Sequence, residues 1–99
     1  METDVHPVRD DTGYFKLRFN ISRESYIDIY ERLEDGAVVK YCYALVVKKK
    51  CRVRYDNAPH HPHLSTWPHH KHLGGQIFPL PDPSIEAFID DVRRYLTIL

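Results

Sequence analysis

The most constraining feature of the sequence is a strict alternation of apolar and polar residues in two consecutive segments. In residues 14–21 the apolar members are Phe15, Leu17, Phe19 and Ile21, and Lys16, Arg18 and Asn20 lie between them. Residues 26–33 alternate in the same way, with Ile27, Ile29 and Leu33 as the apolar members. A period of two places alternate side chains on opposite faces of an extended chain. Both segments are therefore predicted to be half-buried strands.

A hairpin signal and two further strands follow these segments. Asp35-Gly36 is the strongest short hairpin signal in the chain, because both residues tolerate the left-handed backbone of a two-residue turn. Such a turn is expected to place Glu31 opposite Lys40 and Ile29 opposite Cys42. The third strand is predicted over residues 38–47. The fourth covers residues 51–55, after a turn at the lysine-rich tip, Lys49-Lys50.

This register predicts which side chains share a face of the sheet. The expected apolar face consists of Phe15, Leu17, Phe19, Ile21, Ile27, Ile29, Val38, Ala44, Val46, Val53 and Tyr55. The expected polar face shows Arg18, Tyr30, Tyr41, Tyr43, Arg52, Arg54 and Asp56. A one-residue change in the lysine turn would reverse the fourth strand. In either register Cys42 is too far from Cys51 for a disulfide, so two free thiols are expected.

The remainder of the chain completes an α+β domain. Residues 58–83 lack periodicity and contain six prolines, and only residues 74–78 are expected to form a short strand. Asp82-Pro83 is typical of a helix start, and Ile85, Phe88, Ile89, Val92 and Leu96 follow the spacing of one helical face. We predict one domain over residues 1–99: a four- to five-stranded antiparallel meander with one C-terminal helix on its apolar face. Residues 1–12 are expected to be flexible, and residues 56–82 to form a functional loop.

Composition narrows the class of protein. No stretch approaches the ~18–20 apolar residues of a membrane span, and the N-terminus lacks the plan of a signal peptide, so a soluble, cytoplasmic protein is expected. The net charge of zero hides an asymmetry, because residues 48–72 carry six Lys or Arg against one acidic residue. The same stretch holds six of the seven His. This charge is typical either of a solvated lysine tip or of a surface that binds anions.

One interpretation of the histidines is a metal site. His61-Pro62-His63 and His70-Lys71-His72 are His-x-His pairs, which in extended chain point both rings the same way. Two such pairs, or one pair with Asp56, could surround a zinc ion. No Cys accompanies them, and Lys71 adds like charge.

The second interpretation is acid–base chemistry on a phosphate. A metal-independent ribonuclease needs a base, an acid and cations for the charge that develops on phosphorus. Histidine suits both proton-transfer roles because its pKa lies near neutral pH. Candidate catalytic residues are His63, His70, His72, Asp56 and Lys71. Candidate substrate-binding residues are Arg52, Arg54, Tyr41, Tyr43, Tyr55 and Asn57. The alternative interpretation of Tyr55 is a core residue, and that of Asp56-Asn57 is a turn closed by side chain to backbone hydrogen bonds.

The segment from Tyr55-Asp56-Asn57 to Pro68-His69-His70-Lys71-His72 resembles the TumE-like family of prokaryotic toxin–antitoxin proteins. The resemblance is strong over about eighteen residues, and a strand meander before the motif and a helix after it also fit. It implies a growth-arresting toxin that acts on RNA as an endoribonuclease and is held inactive by a helix-turn-helix antitoxin. The motif positions are Tyr55, Asp56, Asn57, His63, His70, Lys71 and His72.

The chemistry and the resemblance lead to one hypothesis with defined roles. We expect His70 and His72 to transfer protons, Lys71, Arg52 and Arg54 to bind phosphate, and Asp56 to orient an imidazole. A zinc-dependent nuclease and a non-catalytic module that binds nucleic acid or a partner stay open as alternatives. The strand that begins at Tyr14 is expected to be an exposed edge, which could pair with a second copy or with the antitoxin.

Overall fold

The fold is one seven-stranded antiparallel sheet with a single helix on one face. The computed structural model describes residues 2–8 and 12–97. The strands follow one another in chain order, each hydrogen-bonded to the next. They are β1 Glu2–Val8, β2 Thr12–Ser22, β3 Ser25–Glu34, β4 Ala37–Val47, β5 Lys50–Asp56, β6 His70–Leu73 and β7 Gln76–Pro79, followed by α1 Ile85–Thr97. The α+β meander and the C-terminal helix are confirmed, but four to five strands was too few: six, β2 to β7, lie in the continuous described segment, and β1 precedes them.

The strands that were not predicted, β1 and β6, lie where the sequence gives little periodicity, whereas β7 overlaps the short strand expected in residues 74–78. β6 and β7 form a hairpin inside the expected loop 56–82, and its turn, Gly74-Gly75, has φ angles of 57° and 83° that favour glycine. β1 pairs with β2, so the prediction that the Tyr14 strand is an edge was wrong. A homodimer stays a prediction, as does flexibility of residues 1–12, within which β1 lies.

The β3–β4 hairpin turns where predicted but pairs differently. Asp35 and Gly36 have φ angles of 50° and 79°, as the two-residue turn requires. Arg32 pairs with Lys40 but Leu33 pairs with Val38, which leaves Val39 as an extra residue, a β-bulge. Glu31 therefore lies opposite Tyr41 and not opposite Lys40.

The bulge reverses the facing of β4. Tyr41 and Tyr43 are buried in the core with Leu45, whereas Cys42 and Ala44 point to the opposite face. The prediction that Ala44 and Val46 are core residues and the two tyrosines lie on the polar face was wrong, because a single extra residue exchanges the two faces of a strand.

The side chains of β5 point to the predicted sides of the sheet, although the turn before the strand and its pairing differ from the prediction. The turn lies at Lys48-Lys49, with φ angles of 54° and 66°, and not at Lys49-Lys50. Arg52 is then left unpaired between Val53 and Cys51, and this second bulge restores the facing. Val53 and Tyr55 are buried as predicted, and Arg54 and Asp56 lie on the other side.

The helix packs over the centre of the sheet, and we call the side on which it lies the covered face. Phe88 and Val92 are buried, and the Phe88 ring lies 5.7 Å from Tyr43 and 5.4 Å from Tyr55. Ser84 caps the helix by accepting a hydrogen bond from the Ala87 amide, so the predicted start at Asp82-Pro83 was two residues early. α1 contacts β4 and β5. No helix in the described residues has the length and apolar character needed to cross a bilayer.

Candidate functional site

The site lies on the opposite side of the sheet from the helix, which we call the open face. The β5–β6 ladder pairs Arg54 with His72 and Asp56 with His70. Cross-strand partners point to the same side of a sheet, and so do residues two apart in one strand. The ladder therefore gathers a cation, a carboxylate and two imidazoles on the open face.

Asp56 is the centre of this arrangement. Its Oδ1 lies 2.9 Å from His70 Nε2 and accepts a hydrogen bond from the Ala58 amide at 3.0 Å. Its Oδ2 accepts from Arg54 Nε at 2.9 Å. The side chain is 10% exposed, and a buried carboxylate needs such partners to stay charged. Asp56 thus fixes His70 and Arg54 relative to each other.

His70 is a buried ring with an acceptor at each nitrogen. Nδ1 lies 3.0 Å from the carbonyl oxygen of Pro68, and Nε2 lies 2.9 Å from the Asp56 carboxylate. Both ring nitrogens of His70 therefore face oxygen atoms of the protein. Its side chain is only 2% exposed, which suits a positioning residue better than one that meets substrate.

His72 has the opposite character. Arg54 Nη2 lies 2.9 Å from His72 Nε2, and because guanidinium only donates, that nitrogen accepts. Burial, followed by the nearby Arg54 charge, lowers the pKa of His72 below 6.5. The ring is therefore largely neutral at pH 7, with its side chain 23% exposed. A neutral, partly accessible imidazole is the state required of a general base.

The loop between β5 and β6 adds His61. Its ring lies 4.8 Å from the His70 ring and 6.0 Å from the His72 ring. Desolvation and the neighbouring histidines, His70 first among them, lower the pKa of His61. His63 is exposed, and its ring lies 6.1 Å from that of His61, at the rim of the group. His69 is turned to the covered face, where its Nδ1 lies 2.8 Å from the Tyr41 hydroxyl.

Three of the histidines could hold a metal ion. His61, His70 and His72 each offer a ring nitrogen, and these atoms lie within 4.8 Å of one another. Tetrahedral zinc with bonds of about 2.0–2.1 Å needs nitrogens roughly 3.4 Å apart, so the rings would have to move closer. His70 would also have to give up a bond to Asp56 or to Pro68. His63, part of the predicted metal set, lies outside this group.

Four of the predicted site residues lie on the covered face instead. Lys71 donates to Asp91 Oδ2 at 3.0 Å, and Tyr55 donates to the same oxygen and, at 3.2 Å, to the Ala87 carbonyl. Burial opposes ionisation of Asp91, but the hydrogen bonds from Tyr55 and Lys71 outweigh it and lower the pKa of Asp91. Tyr43 donates to Glu31, and Tyr41 packs 5.0 Å from Tyr43. Burial raises the pKa of all three tyrosines, so they stay neutral.

The two remaining predicted residues support the backbone. Asn57 accepts a hydrogen bond from the Tyr41 amide and donates to the Val39 carbonyl, both at 3.1 Å, so it clamps the β4 bulge. Arg52 sits at the β5 bulge, where its Nε donates to the Val47 carbonyl at 3.3 Å. Both cysteines are free, as predicted. Cys42 lies opposite Asp56, and burial raises the pKa of its thiol to about 11.

The open face also carries residues that were not selected from the sequence. They are Tyr14, Lys16, Arg18, Tyr26 and Tyr30 on β2 and β3. The alternation in these strands already assigned them to the polar side. Their link to the histidines depends on β4 and β5 lying between, which is a tertiary relation that spacing alone does not give.

The chain also matches a known protein family. The family model described as Toxin TumE matches residues 2–96, nearly the whole chain. The chain matches no curated protein and no solved structure at a significant level. Since the match covers almost every residue, including all of the histidine site, the chain belongs to the TumE toxin family.

Proposed function

We propose that this member of the toxin family is a metal-independent endoribonuclease that cleaves RNA with its open-face histidines. The observation that carries the proposal is the cluster of His61, His70 and His72 around the Arg54–Asp56 pair. One imidazole that accepts a proton, a second that donates one, and a cation next to the phosphate are the groups that phosphodiester transfer to a neighbouring hydroxyl requires.

Each group has a distinct role in the proposed reaction. His72 accepts the proton of the ribose 2′-hydroxyl, and the 2′-oxygen attacks phosphorus. Protonated His61 gives its proton to the departing 5′-oxygen, which leaves a 2′,3′-cyclic phosphate and a free 5′-hydroxyl. Arg54 turns from His72 Nε2 toward the phosphate and offsets the charge that develops on its oxygens.

The lowered pKa values are compatible with both proton transfers. A pKa below 6.5 keeps His72 in the basic form at neutral pH. The same shift makes the protonated form of His61 a stronger acid, although less of it is present. Asp56 and His70 act as positioning residues. Asp56 holds Arg54, and the buried His70 ring packs against the rings of His61 and His72.

The test is cleavage of a labelled RNA by purified protein. Wild type is compared with the His61→Ala/His72→Ala double variant and with His60→Ala, an exposed histidine outside the cluster. We expect cleavage with cyclic phosphate ends in wild type and His60→Ala, and loss of cleavage in the double variant. Cleavage should persist in chelator. Wild-type cleavage by a folded double variant contradicts the proposal.

The biological consequence is growth arrest relieved by an antitoxin, proposed to be a helix-turn-helix protein acting in the cytoplasm. Induced expression in a bacterial host should stop growth and degrade RNA, and expression of the double variant should do neither. Intact RNA in arrested cells would separate toxicity from RNA cleavage and would count against the nuclease.

A metal-dependent nuclease is the second candidate, because three ring nitrogens lie within 4.8 Å of one another. Zinc retained through purification, together with activity lost to chelator and restored by zinc, would favour it. Both nitrogens of His70 already face protein oxygens, which favours the metal-independent reaction.

A further inference from the structure

A second feature of the open face lies on β2 and β3, away from the histidines. The Arg18 guanidinium lies 3.8 Å from the centre of the Tyr26 ring. The Lys16 ammonium lies 5.8 Å from the Tyr30 ring and 6.0 Å from the Tyr14 ring. Cations over aromatic faces are the combination with which proteins hold unpaired bases and their phosphates. We name Lys16, Arg18, Tyr26 and Tyr30 the basic-aromatic track.

The sheet register joins this track to the site in a straight row. Lys16 pairs with Tyr30, Tyr30 with Cys42, Cys42 with Asp56, and Asp56 with His70. All five side chains point to the open face, because cross-strand partners share a side. Four inter-strand steps of about 4.8 Å make a path of roughly 19 Å, long enough for several nucleotides.

The middle of the path is lined by small side chains. Between Asp28 and Tyr30 of β3 and the Arg54–Asp56 pair of β5, β4 presents Ala44 and Cys42 to the open face. Both are small, and the raised pKa of Cys42 keeps its thiol uncharged. The two strands on either side carry much larger side chains. The result is a shallow depression that leads from Tyr30 to Arg54.

Charge along the path favours an anion. The acidic residues of β3 and β5 in these rows, Asp28 and Asp56, are already bound by Arg18 and Arg54 at 2.7 and 2.9 Å. Both carboxylates in these rows are thus paired with a guanidinium, and Lys16 adds a positive charge next to the Tyr30 ring.

We infer that the basic-aromatic track binds the single-stranded segment of RNA next to the cleavage point, an inference that rests on the proposed function. Tyrosine rings can stack only on bases that are not paired inside a duplex. Lys16 binds a phosphate, and the depression over β4 leads the strand to Arg54 and His72. The substrate class is thus unpaired RNA, held by stacking and phosphate contacts with little reading of base sequence.

The experiment measures binding separately from cleavage. The probe is a short fluorescent single-stranded RNA with 2′-O-methyl groups, which lacks the attacking hydroxyl and cannot be cleaved. Fluorescence anisotropy at several salt concentrations gives Kd for wild type, Tyr30→Ala, Tyr30→Phe, Lys16→Gln and two controls. The controls are Phe19→Ala, an exposed aromatic residue on the covered face, and Arg93→Gln, an exposed cation on the helix.

We expect Tyr30→Ala to weaken Kd roughly 5- to 100-fold, the range found for loss of one base-stacking ring. Tyr30→Phe keeps the ring and should bind like wild type. Lys16→Gln should reduce the slope of log K against log salt by about 0.7, as expected for one phosphate contact. Both controls should match wild type in Kd and salt slope.

Each alternative result has one meaning. If folded Tyr30→Ala and Lys16→Gln match wild type in Kd and salt slope, the track is not the RNA-binding surface. This holds even if the antitoxin no longer inhibits these variants. A Kd for duplex RNA equal to that for single strands also overturns the inference. If the probe binds as predicted but unmodified RNA is never cleaved, the proposed function fails while the track stands.

Discussion

The two sides of the short strand β6 treat ionisable groups in opposite ways. Toward the helix, Lys71 and Tyr55 both donate to Asp91, and the pKa values of Tyr55 and Asp91 are shifted away from neutral pH. Toward the open face, burial and the Arg54 charge lower the pKa of His72, so its ring is neutral at pH 7. The side chain is also partly exposed. Lys71 and His72, adjacent in β6, therefore lie on opposite faces and in different electrostatic environments. The comparison teaches that the covered face uses its ionisable groups for packing contacts, whereas the open face keeps the groups of the proposed reaction partly accessible.

The largest expected effect is on the open face. His72→Ala removes the proposed base, and loss of general base catalysis typically lowers a rate by about 10²–10⁴-fold. The free energy of unfolding should change by no more than about 1 kcal/mol, because the ring is partly exposed. Single-turnover RNA cleavage and urea denaturation measure the two quantities. If His72→Ala greatly lowered both the cleavage rate and the free energy of unfolding, His72 would be a stabilising residue like those of the covered face.

The reverse result is expected on the covered face. Phe88 is fully buried between Tyr43 and Tyr55, and Phe88→Ala should lower the free energy of unfolding by about 3–5 kcal/mol. Cleavage per folded molecule should be retained at temperatures where the variant is still folded. Leu96→Ala, on the same helix but exposed, serves as the control, with an effect of about 1 kcal/mol or less. Equal losses in the two variants would contradict the packing described for α1.

Lys71 gives the most direct test between the faces, because the motif predicted a catalytic role for it. Lys71→Met removes a hydrogen bond to a charged partner and should cost about 1–3 kcal/mol in unfolding free energy. RNA cleavage by the folded protein should change little, since the ammonium lies on the covered face. Lys49→Met, which removes a highly exposed lysine, should have almost no effect on stability. A selective loss of cleavage in Lys71→Met would restore the catalytic role.

The smallest expected effect is a shift in pH dependence. His72 must be neutral to act as a base, so the rate should fall as the pH drops below its lowered pKa. Arg54→Gln removes a cation that contributes to the lowering, so the pKa should rise toward 6.5 and the acidic limb should move to higher pH. The profile of kcat/KM against pH measures this, with Arg93→Gln as control. An acidic limb that moves to lower pH would exclude His72 as the base.

The sequence predicted much of the fold because most of its signals are local. Alternation identified β2 and β3, Asp35-Gly36 identified a turn, and helical spacing identified the buried Phe88 and Val92. The bulges at Val39 and Arg52 could not be found in this way, because a bulge exists only relative to the partner strand. β6 was missed because a four-residue strand rich in histidine has no apolar alternation of its own.

The candidate site was predicted in part for the same physical reasons. The density of histidines pointed to His70 and His72, and strand parity placed Arg54 beside Asp56 on the same face. The opposite direction of Lys71 follows from the same parity once residues 70–73 are known to be extended. His61 could not be separated from His60 and His63, because a loop, unlike a strand, gives no rule for where each ring points.

The bulge at Val39 has a consequence for how this chain can change in length. Removing Val39 from β4 would turn Tyr41 and Tyr43 outward and carry Cys42 and Ala44 beneath the helix, while Asn57 would lose the carbonyl to which it donates. Losing two residues from the same arm would shorten the hairpin but leave inside and outside unchanged. A change of two residues in this part of β4 should therefore be tolerated better than a change of one, because only an odd change exchanges the two faces of the strand.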